Sequence, residues 1–306
     1  MVVALQVNAA PPSRPPGMTT KQYRGRMAPS PTGFLHVGHA VTFWHAQERA
    51  RAMGGELILR IEDLDLARCR PEFREAISAD LKWFGLQWDE GPDMGGPFAP
   101  YLQSERRAAY LAALKELHAA GCVYPCYCSR KDVAGAVVAP HDENEEPIYP
   151  GTCRSVGSIA DAPSPWPGRV NWRFRVPDGE EMRFTDLRFG EQRAVAGKDF
   201  GDFIVWRRDN VPAYQLAVVV DDAAMGVTEV VRGVDLLVST FRQQLIYRAL
   251  GIEPPAFYHT PLLLDEFGQR LAKRNAALSL RALRASNVTP ADIRARWIAI
   301  SEGDVK

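Results

Sequence analysis

The chain has 306 residues, 46% of them hydrophobic, and a sequence of this length and composition can bury a substantial core. Lysine plus arginine (37) balances aspartate plus glutamate (37), so a polyanionic partner would need a local basic face rather than a global field. No window approaches the ~18 consecutive apolar residues of a membrane span, and the N-terminus lacks the pattern of a signal peptide. Five cysteines without a secretion signal favour a reducing compartment, and we therefore expect a cytoplasmic protein with no membrane partner.

The first half of the chain alternates strands and helices. Residues 1–22 are rich in proline, and we expect a flexible tail there. The pattern then predicts strands at 23–28 and 56–61 and helices at 35–53, 71–84 and 104–120. Strands and helices that alternate this closely favour an α/β fold with a parallel sheet and right-handed crossovers.

The pattern changes after the third predicted helix. Residues 122–170 hold four of the five cysteines, and residues 170–177 and 182–190 alternate like antiparallel strands, which indicates an inserted subdomain. The later pattern predicts strands at 203–207, 213–220 and 228–231, a helix at 235–250 and a last helix at 291–300. The predicted divisions are a tail (1–22), two halves of a main domain (23–104 and 203–250), an insertion between them (105–202) and a C-terminal region with a lysine-bearing loop (251–306).

The most informative stretch is RMAPSPTGFLHVGHA at residues 26–40, where a strand end and a proline-stiffened turn lead into a helix. His36 and His39 flank Gly38 at the start of that helix, whose free N–H groups and positive potential suit a phosphate. The glycine lets a nucleotide approach the backbone, and both imidazoles can donate to phosphate oxygens. A metal-binding histidine pair is a weaker alternative, because no carboxylate lies near on the same helix face, and two histidines without a role are another.

This stretch resembles the signature of class I glutamyl-type tRNA synthetases, in which HVGH is one form of the histidine motif. RIEDLD follows it, and PAYQLAVVVD (212–221), VVRGVDL (230–236) and RLAKR (270–274) resemble the later motifs of that family in the same order. The resemblance implies a Rossmann-type catalytic domain in which the glutamate carboxylate attacks the α-phosphorus of ATP to give glutamyl-adenylate. Mg²⁺ would arrive on the ATP rather than in a dedicated protein cage.

The resemblance also implies roles for individual residues. Arg26 and Arg232 would bind carboxylate groups, Glu62 the ammonium group, and Ser30 and Tyr214 would orient the amino acid. Each of them taken alone is more typical of a structural ion pair or a strand-end hydrogen bond. The implied contacts are Arg26, Met27, Ala28, Pro29, Ser30, Glu62, Tyr214 and Arg232 for glutamate, and His36, Gly38, His39 and Lys273 for ATP, with His36, His39 and Lys273 as the catalytic residues.

The cysteines of the predicted insertion form a separate pattern. Cys126, Cys128 and Cys153, in CYC and YPGTC, provide three soft ligands, whereas a structural zinc ion takes four in a closed tetrahedral shell. The spacing leaves free thiols as an alternative and does not identify the fourth ligand, for which His141 and water are candidates. The resemblance implies one structural Zn²⁺ with Tyr149 as that ligand, as in the short members of the family.

The chain ends soon after the lysine-bearing loop, before there is room for the anticodon-binding region of a standard glutamyl-tRNA synthetase. With the cysteine pattern, this makes the sequence similar to the glutamyl-queuosine tRNA(Asp) synthetase family. Members of that family activate glutamate without tRNA and join it to the queuosine base in the anticodon loop of tRNA(Asp). We then expect a monomer whose partners are ATP, L-glutamate and queuosine-bearing tRNA(Asp).

Two other functions stay open. A truncated glutamyl-tRNA synthetase would charge a tRNA acceptor end without regard to queuosine. A catalytically idle paralogue would bind RNA or an amino acid; Arg270 and Ala272 suggest it, because they replace the Lys and Ser of the usual Lys-x-Ser-Lys while Lys273 is retained. The candidate RNA contacts, among which no spacing singles out one, are Arg207, Arg208, Arg242, Arg274, Arg281 and Arg284.

Overall fold

The computed structural model describes residues 22–129, 131–133, 148–154, 166–263 and 278–298. The strands in these ranges are β1 (Arg24–Met27), β2 (Glu56–Leu59), β3 (Val123–Cys126), β4 (Asn171–Phe174), β5 (Glu181–Asp186), β6 (Gly190–Val195), β7 (Phe203–Trp206), β8 (Glu229–Gly233) and β9 (Ala256–Thr260). The α-helices are α1 (Val37–Ala52), α2 (Pro71–Phe84), α3 (Arg107–Ala119), α4 (Tyr214–Ala224), α5 (Leu237–Ala249), α6 (Leu280–Ala285) and α7 (Pro290–Ile293). No described helix has the length and apolar content that crossing a bilayer requires.

The main sheet is mixed, with parallel strands at its centre. Strand β1 pairs in parallel with β2, and β9 pairs in parallel with both β8 and β5. A 2.9 Å hydrogen bond from the Thr228 amide to the Arg24 carbonyl places the start of β8 beside β1. The β1–β2 pair therefore lies next to β8 of the four-stranded group β8-β9-β5-β6, and we treat the two as one main sheet in the order β2-β1-β8-β9-β5-β6. Among its paired strands, β5 with β6 is antiparallel and the other pairs are parallel. The prediction of an α/β fold with a parallel sheet is confirmed for the central strands, and the antiparallel edge is an addition to it.

A second sheet contains β3, β4 and β7, all antiparallel. Trp172 on β4 pairs with Trp206 on β7, and both side chains are fully buried. The antiparallel strands predicted for residues 170–177 and 182–190 are confirmed, but they belong to different sheets, since β5 joins the main sheet through β9.

The predicted strand at residues 213–220 is wrong, because residues 214–220 lie in helix α4. A continuous apolar run such as LAVVV is compatible with either a buried strand or a buried helix, and its periodicity does not separate them. Leu216, Ala217, Val218 and Val219 are all buried, because α4 is covered on several sides by the sheets and by neighbouring helices. The helix begins directly after Pro212 and Ala213, and Ala213 has an extended backbone.

Two large hydrophobic clusters form most of the core of the described residues, and a small third cluster lies around the cysteines of β3 and residue 153. The first surrounds α3, α4, α5 and the β3-β4-β7 sheet, and the second lies between β1, β2, α1 and α2. Leu280 of α6 and Ile293 of α7 belong to the second cluster, so the C-terminal helices cover α1 and α2. The Leu280 amide also donates to the Leu35 carbonyl at 2.8 Å, which brings α6 to the start of α1.

Candidate active site and metal centre

The carboxyl ends of β1, β2 and β8 meet at one edge of the main sheet, where ligands of open α/β sheets usually bind. The β1–β2 pairing continues past both strands, because the Arg60 amide donates to the Met27 carbonyl (2.9 Å) and the Glu62 amide to the Pro29 carbonyl (3.0 Å). Residues 27–30 therefore run beside residues 60–62. The Met27 side chain is fully buried in the core, whereas the Ser30 side chain is exposed at the rim of the site. Of these two side chains, only that of Ser30 is accessible to a ligand.

Arg60 is a fully buried arginine surrounded by carboxylates. Its Nη1 donates to Asp222 Oδ1 at 2.6 Å and its Nη2 to Glu62 Oε1 at 3.1 Å, while its Nε lies 3.8 Å from Asp221 Oδ2. Burial raises the pKa of Glu62, although the charges of Arg60 and Arg26 oppose that rise. Arg60 is thus the charge centre that holds Glu62 at the edge of the sheet.

Arg26 lies beside this cluster with fewer partners. Its Nη1 donates to the Val231 carbonyl at 2.9 Å, and its Nε lies 3.6 Å from Asp222 Oδ1. Arg26 Nε and Asp222 Oδ2 are both buried without a hydrogen-bond partner among the described residues. The Arg26 side chain therefore keeps hydrogen-bonding capacity for a ligand, as the sequence predicts for a carboxylate contact.

Arg232, at the end of β8, is buried but has only neutral partners in the described part of the chain. It donates from Nε to His259 Nε2 (3.2 Å), from Nη2 to Thr240 (2.8 Å) and from Nη1 to Gln243 (2.9 Å). A longer bond of 3.4 Å joins Nη1 to the Tyr214 hydroxyl, so two of the predicted glutamate contacts are brought together. A buried cation without a counter-charge is unfavourable, and a bound carboxylate would supply that charge.

His259 and Asp186 are among the residues of this site that sequence reasoning missed. His259 Nδ1 lies 2.6 Å from Asp186 Oδ2, and both side chains are fully buried. Although burial opposes it, hydrogen bonds from His259 and from backbone amides lower the pKa of Asp186. Neither residue falls in a stretch that resembles a family motif, and β9, which carries His259, was not predicted as a strand.

The two histidines of HVGH lie at the start of α1 with their rings 3.7 Å apart. The Gly38 amide donates to His36 Nδ1 at 3.1 Å, and the His36 amide approaches His39 Nδ1 at 3.4 Å. Burial lowers the pKa of His36, and burial together with the charge of His36 lowers the pKa of His39 to about 3. At neutral pH both rings are therefore uncharged, and each carries its proton on Nε2, where it can be donated to a ligand.

Gly38 allows this ring arrangement. A Cβ added at residue 38 would lie 3.0 Å from His36 Cε1 and 3.1 Å from its Nδ1, so the ring would have to shift by a few tenths of an ångström.

Lys273, Arg270, Ala272 and Arg274 lie outside the described residues, as does His141. The described chain stops at Leu263, just after β9, and resumes so that Ser279 pairs with His36. Both flanks of the lysine-bearing segment are therefore attached to elements of the site, and the role of Lys273 stays a prediction.

The three cysteines of the predicted metal site come together. Their Sγ atoms lie within 4.8 Å of one another, with Cys128 and Cys153 Sγ 3.6 Å apart. The Tyr149 hydroxyl lies 3.4 Å from Cys126 Sγ and 3.3 Å from Cys128 Sγ. Tetrahedral zinc with bonds of about 2.3 Å to sulfur separates its sulfur ligands by about 3.8 Å. The donor set therefore fits a zinc ion in type, number and spacing, with the tyrosine as the fourth donor.

Arg173 supplies positive charge to this cluster. Its guanidinium lies 3.9 Å from the centre of the Tyr149 ring, and its Nε donates to Cys126 Sγ at 3.3 Å. Burial and hydrogen bonds with the cysteines raise the pKa of Tyr149, so its phenol keeps a proton at neutral pH unless a cation displaces it.

Comparisons with known proteins agree with this geometry. A family model described as "tRNA synthetases class I (E and Q), catalytic domain" matches residues 22–295. A protein of Nitratidesulfovibrio vulgaris named glutamyl-Q tRNA(Asp) synthetase is 52% identical over 271 residues, which cover 88% of this chain and 83% of that protein. The protein of the same name from Symbiobacterium thermophilum is 54% identical over 273 residues, with 87% and 82% covered.

Glutamate–tRNA ligases are also similar, over a smaller share of their own length. Glutamate–tRNA ligase 2 of Acidithiobacillus ferrooxidans is 45% identical over 277 residues, which cover 90% of this chain and 57% of the ligase. The crystal structure of glutamate–tRNA synthetase from Elizabethkingia anophelis superposes with a TM-score of 0.73 at 30% identity, covering 83% of this chain and 53% of that one.

The chain therefore belongs to the class I tRNA synthetase (E and Q) family, and it is a ligase of the aminoacyl-tRNA synthetase type. Its α/β catalytic fold is the one its motifs predict. Within that family, relatives named glutamyl-Q tRNA(Asp) synthetase are 43–54% identical to it, which confirms the resemblance inferred from the motifs.

Proposed function

We propose that this enzyme activates L-glutamate with ATP, without tRNA, and transfers the glutamyl group to the queuosine base in the anticodon loop of tRNA(Asp). The observation that carries the first half is the buried Arg232, whose described partners are all neutral and whose position suits a substrate carboxylate. Glutamate has two carboxylates and one ammonium group, and the pocket offers Arg26 and Arg232 for the former and Glu62 for the latter.

The proposed activation step needs positioned donors rather than a protein nucleophile. One oxygen of the glutamate α-carboxylate attacks the α-phosphorus of ATP, and the bond to the bridging oxygen of pyrophosphate breaks. His36 and His39 donate from Nε2 as neutral imidazoles, and Lys273 adds a positive charge near the phosphates. Mg²⁺ bound with ATP neutralises further phosphate charge, and we propose no protein cage for it.

The second half of the proposal rests on the relatives. The Nitratidesulfovibrio vulgaris and Symbiobacterium thermophilum proteins named glutamyl-Q tRNA(Asp) synthetase are 52% and 54% identical to this chain, which spans 83% and 82% of them. Glutamate–tRNA ligase 2 of Acidithiobacillus ferrooxidans is 45% identical, and the chain spans 57% of it. In the proposed transfer, a hydroxyl of queuosine attacks the acyl carbon of the adenylate and AMP leaves. Single-stranded loop bases are accessible to a protein cleft in a way that paired bases are not.

We propose one structural Zn²⁺ at Cys126, Cys128, Tyr149 and Cys153. The ion would cross-link β3 to the segment around residue 150, and Arg173 would offset the negative charge of its ligands. The predicted domain boundaries, the monomeric state and the cytoplasmic location remain expectations.

The decisive experiment offers labelled glutamate and ATP to tRNA(Asp) with and without queuosine, and to tRNA(Glu). Label is expected on queuosine-bearing tRNA(Asp) alone. Equal labelling of both forms of tRNA(Asp), or labelling of tRNA(Glu), would instead favour a ligase that charges acceptor ends. An enzyme that neither activates nor transfers glutamate would match the idle paralogue and end the proposal.

A further inference from the structure

Three neighbouring strands of the main sheet place a carboxylate, an imidazole and a guanidinium in one row. Residue pairing sets Arg232 of β8 opposite His259 of β9, and β5 pairs with β9 so that Asp186 reaches His259 from the other side. We propose that Asp186 and His259 are positioning residues that fix the Arg232 guanidinium for the substrate carboxylate. This inference rests on the proposed function of Arg232 in binding glutamate.

The far end of the row is rigid. Asp186 Oδ1 accepts from the amides of Arg188 (3.0 Å) and Phe189 (2.9 Å), and Oδ2 accepts from the His259 amide (3.1 Å) as well as from its ring. Both carboxylate oxygens are thus held by backbone N–H groups whose positions the sheet determines. The backbone therefore fixes the position of the carboxylate, and the hydrogen bond to that carboxylate sets the orientation of the imidazole.

The hydrogen bonds also define where the proton of His259 lies. An ionised carboxylate only accepts, so the short contact to Asp186 puts the proton on Nδ1 and leaves Nε2 as an acceptor. Arg232 Nε, which can only donate, uses that acceptor at 3.2 Å. Burial and the charge of Arg232 lower the pKa of His259, while Asp186 opposes this, so the ring stays neutral beside the guanidinium.

A count of donors shows which side of Arg232 is left for a ligand. A guanidinium has five N–H donors, and the described contacts use Nε, one hydrogen of Nη2 and both of Nη1. One Nη2 hydrogen remains, and the Nη1 bond to Tyr214 is the longest of the set at 3.4 Å, so it yields most easily. With Nε held by His259, the free Nη2 hydrogen and the Nη1 hydrogen now on Tyr214 are the donors left for a bidentate contact with a carboxylate.

The inference is separated from a general packing role by two substitutions at one position. His259→Leu removes the acceptor and places an apolar side chain in its position. His259→Gln instead offers an amide oxygen near the position of Nε2. His118→Leu is the matched control, because His118 packs on the Trp172 ring at 5.0 Å on α3 and contacts no residue of the row.

The assay is glutamate-dependent ATP–pyrophosphate exchange without tRNA, with KM measured separately for glutamate and ATP. We expect His259→Leu to raise KM for glutamate about 10- to 100-fold, the range for removing a partner that orients a ligand-binding group, and to change KM for ATP less than about twofold. We expect His259→Gln to recover to within about fivefold of the wild type and His118→Leu to match it. An unchanged KM for glutamate in His259→Leu, or an equal rise in both KM values, would overturn the inference.

A spectroscopic readout keeps this test separate from the test of the proposed function. The ¹⁵N chemical shifts of His259 in the wild type should show a protonated Nδ1 and an unprotonated Nε2, with the Nε2 signal moving on addition of glutamate. A protonated Nε2, or a signal insensitive to glutamate in an active enzyme, contradicts the inference alone. A wild type that neither binds nor activates glutamate contradicts the proposed function and removes this inference with it.

Discussion

Arg60 and Arg232 are both buried at the carboxyl edge of the same sheet, yet their partners differ in charge. Arg60 has Glu62, Asp221 and Asp222 around it, so its charge is balanced within the fold. Arg232 is 4% exposed, and the described hydrogen-bond partners of its side chain are an imidazole, an amide and two hydroxyls. The comparison teaches that charge balance, rather than burial or residue type, separates a scaffold arginine from one that is suited to bind a substrate.

The largest expected effect falls on the balanced arginine. Arg60→Met should remove the buried cation that Glu62, Asp221 and Asp222 share, although Arg106 still pairs with Asp221 and Arg26 with Asp222. We expect the free energy of unfolding to fall by about 3–5 kcal/mol. Arg232→Met should change it much less, since this substitution removes an unbalanced charge. Urea unfolding of both variants checks the difference, and an equal loss of stability in the two would break the comparison.

The cysteine cluster is a second place where polar groups gather at one point of the fold, here with donors that suit a metal cation. We expect the wild type to contain about one zinc ion per chain and Cys153→Ser to lose it, with the midpoint of thermal unfolding about 5–10 °C lower. Cys122→Ser is the control, because Cys122 is hydrogen-bonded to the Ala120 carbonyl and lies outside the cluster. Metal analysis that finds no zinc in freshly purified wild type would contradict the proposed site.

A smaller effect should appear in the pH dependence of stability. The folded pKa of His39 lies below its unfolded value, so the unfolded chain takes up a proton first as the pH falls. The stability that depends on a neutral His39 is fully present above about pH 6.5. It is lost as the pH falls toward 3, at up to about 1.4 kcal/mol of unfolding free energy per pH unit. His39→Gln should therefore lose about 1–2 kcal/mol less stability than the wild type between pH 7 and pH 5. Parallel pH profiles of the two proteins would show that the folded protein does not hold His39 as a neutral ring.

The smallest effect is expected at Gly38. A methyl group there would push the His36 ring from its place over the helix start, so Gly38→Ala should lower the exchange rate about 5- to 10-fold. Stability should change by less than about 1 kcal/mol, because Gly38 lies in the first turn of α1. A rate equal to that of the wild type would mean that the ring position is irrelevant to ATP.

Much of the fold could be predicted from local chemistry. Helix α2 has the predicted bounds, because Pro71 occupies its first turn and Gly85 ends it in a left-handed conformation with φ of 95°. Helix α4 was mistaken for a strand because an apolar run contains no periodicity that separates the two. Strand β9 was missed, since AFYHT is short and mixes polar and apolar side chains.

Residues of the candidate site could be predicted only where they lie in a family motif. Recognisable motifs contain Arg26, Glu62, Tyr214 and Arg232, and the structure brings these residues to one edge of the sheet. The partners of Arg232 were not predictable, because Asp186 and His259 meet it only through the register of three strands. Charge balance is likewise a property of the fold, and nothing in the sequence distinguishes Arg60 from Arg232 in that respect.

The most direct test of the central claim is glutamate-dependent ATP–pyrophosphate exchange without tRNA in the wild type and in Arg232→Met. Arg183→Met serves as the control, because Arg183 is half exposed and pairs with Glu181 on the surface of β5. We expect exchange in the wild type and in the control, and a loss of about 100-fold or more in kcat/KM for glutamate in Arg232→Met. An inert wild type, or an Arg232→Met variant with unchanged kcat/KM, would contradict the claim that Arg232 binds the substrate carboxylate.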